Sequence, residues 1–152
     1  MFLSQVLKPS CVVVPLKGRE KHAVIAELID VLDGNKLLLN KDVALQSVLT
    51  REQTRSTGIG SGIAIPHGKS TAIRELVMAM GIADQPIDFD SVDGRPVSIV
   101  ILLLSPSDQT GPHIQALAKI SRLMLDEAFR NKLQKANSPQ QVCELLSERE
   151  NE

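Results

Sequence analysis

The sequence predicts an α/β fold, a single-domain sandwich in which a mixed β-sheet has helices on both faces, and three observations lead to this class. Two almost uninterrupted apolar runs, residues 76–83 and 97–104, are typical of strands that are covered on both faces. Segments with helical apolar spacing precede and follow these runs, so helices and strands alternate along the chain. The 152 residues allow one substantial core but not two ordinary domains, so we expect one domain over residues 1–152.

The amino-terminal part of the chain predicts one short strand and two helices. Residues 11–14 are mostly β-branched and indicate the strand. Residues 19–33 place apolar side chains at helical spacing, and Gly34 follows as the expected residue just beyond the helix end. Residues 41–51 predict a second helix, for which Asn40 is the expected N-cap.

The carboxy-terminal part predicts two further helices after the apolar runs. Residues 93–96 read Asp-Gly-Arg-Pro and predict a turn between the two strands. Residues 105–112 form a polar stretch, after which we expect a third helix that begins near His113. Ser138 as N-cap, followed by a proline and by Gln141 at the third helical position, predicts the start of the last helix.

The segment that leads into His67 is the most informative part of the chain for function. Glycines at alternate positions between residues 58 and 62 predict a loop, because no helix would contain them. Residues 63–65 alternate in side-chain size as a short strand does. Pro66 has no N–H, so we expect strand pairing to stop there. We therefore expect His67 at a strand end, followed by Gly68, whose backbone N–H can approach an anion.

The three histidines differ in what their surroundings predict. His22 lies among charged residues of the first predicted helix, which favours a solvated side chain. His113 falls in the first turn of the third helix, where the helix dipole disfavours protonation of an imidazole and attracts anions; a histidine that only hydrogen-bonds the preceding loop remains an alternative. Ligands gather at strand ends in open α/β sheets, so His67 and His113 together indicate a site.

Several other kinds of site are disfavoured. The segment Gly68-Lys69-Ser70 resembles the end of a P-loop, but Gly62 lies one residue too far back for that motif. The two histidines have no third ligand at a spacing that is typical of zinc sites, although Asp108 is a candidate close to His113 in the sequence. No Gly-x-Ser-x-Gly elbow of a serine hydrolase occurs. We expect neither a metal nor another cofactor.

The composition limits the classes of binding partner and the cellular compartment that we expect for this chain. The net charge of −1 and the absence of Trp and Tyr disfavour a sequence-independent nucleic-acid binder. Cys11 and Cys143 show no metal or redox spacing. The longest apolar run, residues 99–104, is far shorter than the roughly 20 residues of a membrane span, and the amino terminus has no signal-peptide pattern. We expect a cytoplasmic protein that does not insert into a membrane.

Taken together, the motifs resemble the IIA component of the bacterial phosphotransferase system, of the fructose/mannitol type, and most of all its stand-alone nitrogen-regulatory member. The likeness runs from about residue 3 to residue 146. The segments that carry it are Thr50-Arg51-Glu52, Ser56-Thr57-Gly58-Ile59-Gly60, Gly62-Ile63-Ala64-Ile65-Pro66-His67-Gly68-Lys69, and Asp108-Gln109 before His113. Gly111-Pro112, directly before His113, departs from the family pattern.

The resemblance implies a phosphotransferase component that acts in a relay with other proteins. His67 would accept a phosphoryl group from the phosphohistidine of the carrier HPr or of its nitrogen-branch paralogue. His113 would be the second histidine of the active site, and Arg51 the arginine beside the phosphate. The phosphoryl oxygens would then also be within reach of the backbone N–H of Gly68.

Three readings remain open at this point. No IIB or IIC segment is recognisable, which favours a regulator whose phosphorylation state governs partner proteins. The alternative is a dedicated sugar-uptake IIA protein that donates its phosphoryl group to a separate IIB protein of the fructose/mannitol type. A member that has lost phosphotransfer is disfavoured, because His67, His113 and Arg51 are all present.

Overall fold

One open, mixed β-sheet of six strands and six α-helices make up the computed structural model, which describes residues 2–152. The strands are β1 (Val12–Val13), β2 (Gly58–Gly60), β3 (Ile63–Ala64), β4 (His67–Ser70), β5 (Val77–Ile87) and β6 (Val97–Pro106). The helices are α1 (Leu3–Val6), α2 (Lys21–Gly34), α3 (Lys41–Thr54), α4 (Thr110–Leu123), α5 (Glu127–Gln134) and α6 (Pro139–Glu150), with a short 3₁₀ helix at Pro9–Cys11. The strand order is β1-β5-β6-β3-β2, and β4 also pairs with β6.

The centre of the sheet is the antiparallel pair of β5 and β6, which contains the two apolar runs of the sequence. Their register joins Val77 to Leu104 at one end and Ile87 to Val97 at the other. Almost every residue of β6 is buried, so consecutive side chains on opposite faces are both covered. The predicted α/β class, a mixed sheet with helices on its two faces, is confirmed.

The strands β3 and β4 follow one another along a single edge of β6. Ile63 pairs with Ile99 and His67 with Leu103, both in parallel orientation. Between them Pro66 has no N–H to donate, but its carbonyl accepts a hydrogen bond from the backbone N–H of Leu103 at 3.0 Å. The expectation that His67 ends a strand is therefore wrong: His67 is the first residue of β4, because pairing with β6 resumes directly after the proline.

The glycine-rich segment forms a β-hairpin, and only its turn is a loop. Strands β2 and β3 pair antiparallel, and the backbone between them has positive φ at Gly60, Ser61 and Gly62, with values of 101°, 58° and 81°. Such angles favour glycine, which explains two of the three glycines in the run. The sequence thus indicated the turn, but not the short strand that precedes it.

Two of the predicted helix caps are confirmed. The side chain of Asn40 accepts a hydrogen bond from the Val43 N–H at 3.1 Å, and the Ser138 hydroxyl accepts one from the Gln141 N–H at 3.1 Å. The expectation for Gly34 is wrong, because Gly34 is the last residue of α2. The chain leaves the helix at Asn35, whose N–H bonds the carbonyls of the last turn, and the positive φ of 60° falls at Lys36.

Two helix boundaries differ from the expectations in ways that bear on the site, and one helix was not predicted. Helix α3 continues to Thr54, so Arg51 lies inside its last turn. Helix α4 begins at Thr110, so Pro112 occupies the first turn, where a missing N–H costs nothing. Helix α5 was not predicted, although Asp126 caps it by accepting a hydrogen bond from the Phe129 N–H at 3.3 Å.

No helix within residues 2–152 has both the length and the apolar character that a membrane crossing requires.

Candidate functional site

Three elements bring the sequence-predicted side chains to one place. His67 opens β4, His113 lies in the first turns of α4, and Arg51 lies in the last turn of α3. The imidazole rings of His67 and His113 have centroids 5.5 Å apart and are inclined by 58°. Arg51 and His67 line the same cavity of about 400 Å³. The pairing of β4 with β6 and the packing of α4 against β6 make this meeting possible.

The ring of His67 is held by a backbone carbonyl. Its Nδ1 lies 2.7 Å from the carbonyl oxygen of Ile65, and a carbonyl can only accept a hydrogen bond. Nδ1 therefore carries a hydrogen, and in the neutral ring the lone pair belongs to Nε2. The ring is half-buried, so this nitrogen is the one left for chemistry at the cavity.

The surroundings of His67 favour its neutral form. Burial lowers the pKa of this imidazole below its usual value, the hydrogen bond to Ile65 opposes that shift, and the positive charge of Arg51 adds to it. A neutral ring with a free Nε2 lone pair is a nucleophile at neutral pH.

His113 lies deeper than His67, with 4% of its surface exposed. Burial, followed by the nearby His67 and Lys69, lowers the pKa of the His113 imidazole to about 4, so the ring is neutral at pH 7. Its Nδ1 lies 2.8 Å from the hydroxyl oxygen of Ser105, at the end of β6. Sequence reasoning ended that strand at Leu104 and assigned Ser105 to the following loop.

Arg51 brings a positive charge to this cavity, and that charge contributes to lowering the pKa of His67. Its Nη1 donates a hydrogen bond to the backbone carbonyl of Arg55 at 2.9 Å, which ties the guanidinium to the end of α3. The guanidinium has five N–H donors in a planar fork, so this bond leaves others for an anion at His67. Arg55 also lines the cavity, and sequence reasoning did not single it out.

A buried ion pair fixes the chain just after Arg51. Glu52 is 5% exposed and accepts hydrogen bonds from the backbone N–H and the hydroxyl of Thr57 at 2.9 Å and 2.5 Å. Lys21, at the start of α2, lies 2.9 Å from the same carboxylate. Removing one member of such a pair leaves an uncompensated buried charge, so the network anchors the wall that carries Arg51. Glu52 gave no sequence signal beyond its place in the family-like motif.

Lys69 connects β4 to the start of α4, and its charge contributes to lowering the pKa of His113. The Lys69 ammonium donates a hydrogen bond to the hydroxyl of Thr110 at 3.1 Å, joining β4 to the first residue of α4. Residues 68–70 lie in a strand and not in a loop before a helix, which agrees with the rejection of a P-loop.

Gly68 is buried in β4 and packs closely against α3. A β-carbon built at Gly68 would lie 2.6 Å from the Ser47 hydroxyl oxygen and 3.2 Å from the backbone of Ser47 and Val48. The structure thus gives this glycine a packing reason, while the proposed contact of its N–H with phosphate stays a prediction.

We expect Gly68→Ala to lower the free energy of unfolding by about 1 to 3 kcal/mol, the usual cost of overpacking. The double variant Gly68→Ala/Ser47→Gly should recover part of this loss, because the closest clash is with the Ser47 hydroxyl. Gly34→Ala is the matched control: nothing lies within 4 Å of its added carbon, so its stability should be unchanged or higher. Urea denaturation of the four proteins measures the effect, and equal stability of Gly68→Ala and Gly34→Ala would contradict it.

Exposed apolar side chains occur at the cavity and directly after His113. Ile59 and Val92 line it and are 47% and 68% exposed, and Ile114, directly after His113, is 59% exposed. We call these three residues the apolar rim. Apolar side chains that remain in water around a reactive group are typical of a surface that another protein covers.

The remaining histidine does not line this cavity. His22 is exposed on α2, as the sequence predicted. Within residues 2–152 no three His, Cys, Asp or Glu side chains come close enough together to hold a metal ion.

Comparison with known proteins gives one family over nearly the whole chain. The family model described as "Phosphoenolpyruvate-dependent sugar phosphotransferase system, EIIA 2" matches residues 5–149. The nitrogen regulatory protein of Klebsiella oxytoca is 35% identical over 149 residues, which cover 96% of this chain and 90% of that protein. The fructose-specific EIIABC component of Bacillus subtilis is 30% identical over 148 residues, and there the chain spans only 23% of the relative's length. The crystal structure of the nitrogen regulatory protein IIA-Ntr from Neisseria meningitidis superposes with a TM-score of 0.88 at 28% identity, covering 95% of this chain and 98% of that one.

Proposed function

We propose that this chain, which belongs to the EIIA 2 family of the phosphoenolpyruvate-dependent sugar phosphotransferase system, is a phosphoryl carrier whose acceptor atom is Nε2 of His67. The observation that carries the proposal is the hydrogen bond between His67 Nδ1 and the Ile65 carbonyl, which leaves the Nε2 lone pair free in a ring that is neutral at pH 7. The donor is the phosphohistidine of HPr or of its nitrogen-branch paralogue.

In the transfer step one nitrogen–phosphorus bond replaces another. The Nε2 lone pair of His67 forms the new bond as the bond between phosphorus and the donor's ring nitrogen breaks, and that electron pair returns to the donor ring. The hydrogen stays on His67 Nδ1 throughout and remains hydrogen-bonded to the Ile65 carbonyl. Such transfers need positioning and charge neutralisation more than covalent help from the protein.

The residues around His67 fit the charge that arrives there. Arg51 brings a guanidinium into the same cavity, and His113 places a second neutral imidazole 5.5 Å away. We assign Arg51 and His113 to contacts with the phosphoryl oxygens, because hydrogen bonds to charged groups are stronger than neutral ones. The backbone N–H of Gly68 is a further candidate for such a contact.

The apolar rim supports docking of a protein donor rather than of a small phosphate ester. Ile59 and Val92 line the cavity and Ile114 follows His113, all three exposed, and a partner surface that covers them would bring its phosphohistidine to His67.

We further propose that the phosphorylation state acts as a regulatory signal. Phosphorylation adds about two negative charges at the cavity mouth, enough to change which surfaces bind there. The similarity to nitrogen regulatory proteins over almost their whole length supports this use. The similarity to fructose-specific components supports the alternative, a sugar-uptake IIA protein that donates to a separate IIB protein.

Partner capture from cell extract separates these two uses. We expect phosphorylated protein to retain a different set of proteins from the unmodified protein, whereas His67→Ala should capture the unmodified set under both conditions. Identical sets for all three would contradict regulation. Rapid discharge of the phosphoryl group to one added IIB protein would then establish the uptake relay.

A further inference from the structure

Ser105 contributes a buried hydroxyl beside the second histidine of the site. Its side chain is fully buried at the end of β6, and its oxygen lies 2.8 Å from Nδ1 of His113. Within residues 2–152 this contact is the hydroxyl's hydrogen bond, and Ser105 is not among the buried polar groups left without a partner.

The chemistry of a hydroxyl decides the direction of this bond. A buried O–H that finds no acceptor costs the full desolvation of a donor, whereas an unused lone pair on the same oxygen costs less. The nitrogen Nδ1 of His113 is the acceptor within reach, so the Ser105 hydroxyl donates to it. Because His113 is neutral, its one ring hydrogen must then lie on Nε2.

The two histidines of the site would then have opposite tautomers. His67 carries its hydrogen on Nδ1 and offers a lone pair at Nε2, while His113 accepts at Nδ1 and offers an N–H at Nε2. One ring is set to bond phosphorus, and the other is set to donate a hydrogen bond to a phosphoryl oxygen. If His113 had the other tautomer, it would present a lone pair to an anion and repel it.

We propose that Ser105 is a positioning residue that holds His113 as its Nε2–H tautomer and thereby makes His113 a hydrogen-bond donor to the phosphoryl group on His67. The proposal about phosphate rests on the proposed function, whereas the assignment of the tautomer does not. Ser105 itself forms and breaks no covalent bond, and its proton stays on Oγ.

The tautomer is measured directly by nitrogen NMR of the imidazole rings in the unmodified protein at neutral pH. We expect His113 of the wild type to show an unprotonated Nδ1 and a protonated Nε2. In Ser105→Ala the two tautomers should mix, and Ser105→Cys, which keeps a weak donor, should fall between. A wild-type His113 with its hydrogen on Nδ1 would overturn the proposal even if neither variant folded. A Ser105→Ala protein in which His113 keeps the wild-type tautomer would also overturn the proposal.

A kinetic measurement tests the consequence for phosphate. Losing one ordered hydrogen bond should slow phosphoryl uptake by Ser105→Ala about five- to tenfold at saturating phospho-HPr, with the half-saturating donor concentration unchanged. Ser70→Ala is the matched control: Ser70 is a buried serine of the neighbouring strand whose hydroxyl accepts from the Ala72 N–H at 3.0 Å. Its uptake rate should equal that of the wild type.

The outcomes separate the two proposals. Equal slowing of Ser105→Ala and Ser70→Ala would make Ser105 a structural serine only and overturn its positioning role. If the wild type takes up no phosphoryl group at all, the proposed function fails, and the NMR result still decides whether Ser105 sets the tautomer.

Discussion

His67→Ala is expected to take up no phosphoryl label from phospho-HPr or its nitrogen-branch paralogue, while keeping the fold. The proposed acceptor nitrogen is lost outright, and the half-buried ring at the edge of a cavity contributes little to the core. On the wild type, the adduct should be labile in acid and stable in base, as a phosphoramidate is. Label transfer with the purified relay and circular dichroism together measure both parts.

His22→Ala is the matched control for this experiment. It makes the same chemical change at an exposed position of α2, away from the cavity, and should take up label as fast as the wild type. Stoichiometric labelling of His67→Ala, or an adduct that survives acid, would exclude His67 as the acceptor.

His113→Ala should slow phosphoryl uptake by roughly ten- to a hundredfold without moving the site of modification. A hydrogen bond to a charged group contributes about 1.5 to 3 kcal/mol, and each 1.4 kcal/mol is about a factor of ten in rate. Arg51→Ala should have an effect of similar size, because the guanidinium would neutralise charge on the same oxygens. Single-turnover kinetics at saturating donor give the rate, and hydrolysis of the isolated adduct gives its lifetime.

Two comparisons sharpen this prediction. Combining Ser105→Ala with His113→Ala should slow transfer no further than His113→Ala alone, because the hydroxyl acts through the ring that is already absent. If His113→Ala changed neither the rate nor the lifetime of the adduct, His113 would be a buried helix residue and not part of the transfer site.

The parts of the fold that the sequence predicts well are those with local causes. The two apolar runs became β5 and β6 because strands covered on both faces must be apolar throughout. Asn40 and Ser138 cap helices because each side chain satisfies an N–H only three residues away.

Features that depend on distant partners were not predictable in the same way. His67 was expected at the end of a strand, and only pairing with β6 makes it the start of β4. Gly34 has no close neighbour, so nothing in the structure requires a glycine there, and the turn falls two residues later.

In the candidate site, too, features with local sequence signals were predicted and features that depend on distant partners were not. The segment Ile65-Pro66-His67-Gly68 predicts that His67 is reactive, which stays a prediction, and the family resemblance implied the nearby His113 and Arg51, which the structure places beside it. Ser105 gave no signal because a serine after an apolar run looks like the start of a loop, and its contact with His113 forms only when α4 packs against β6. The buried ion pair of Glu52 was not predicted because its partners Thr57 and Lys21 lie outside the helix that carries it.

The central claim is that Nε2 of His67 carries the phosphoryl group. Phosphorus–nitrogen correlation NMR on the ¹⁵N-labelled, phosphorylated protein tests it most directly, because it identifies the bonded nitrogen. The structure predicts coupling of phosphorus to Nε2 of His67, with Nδ1 still protonated and hydrogen-bonded to the Ile65 carbonyl. Coupling to Nδ1 of His67, or to either nitrogen of His113, would contradict the account.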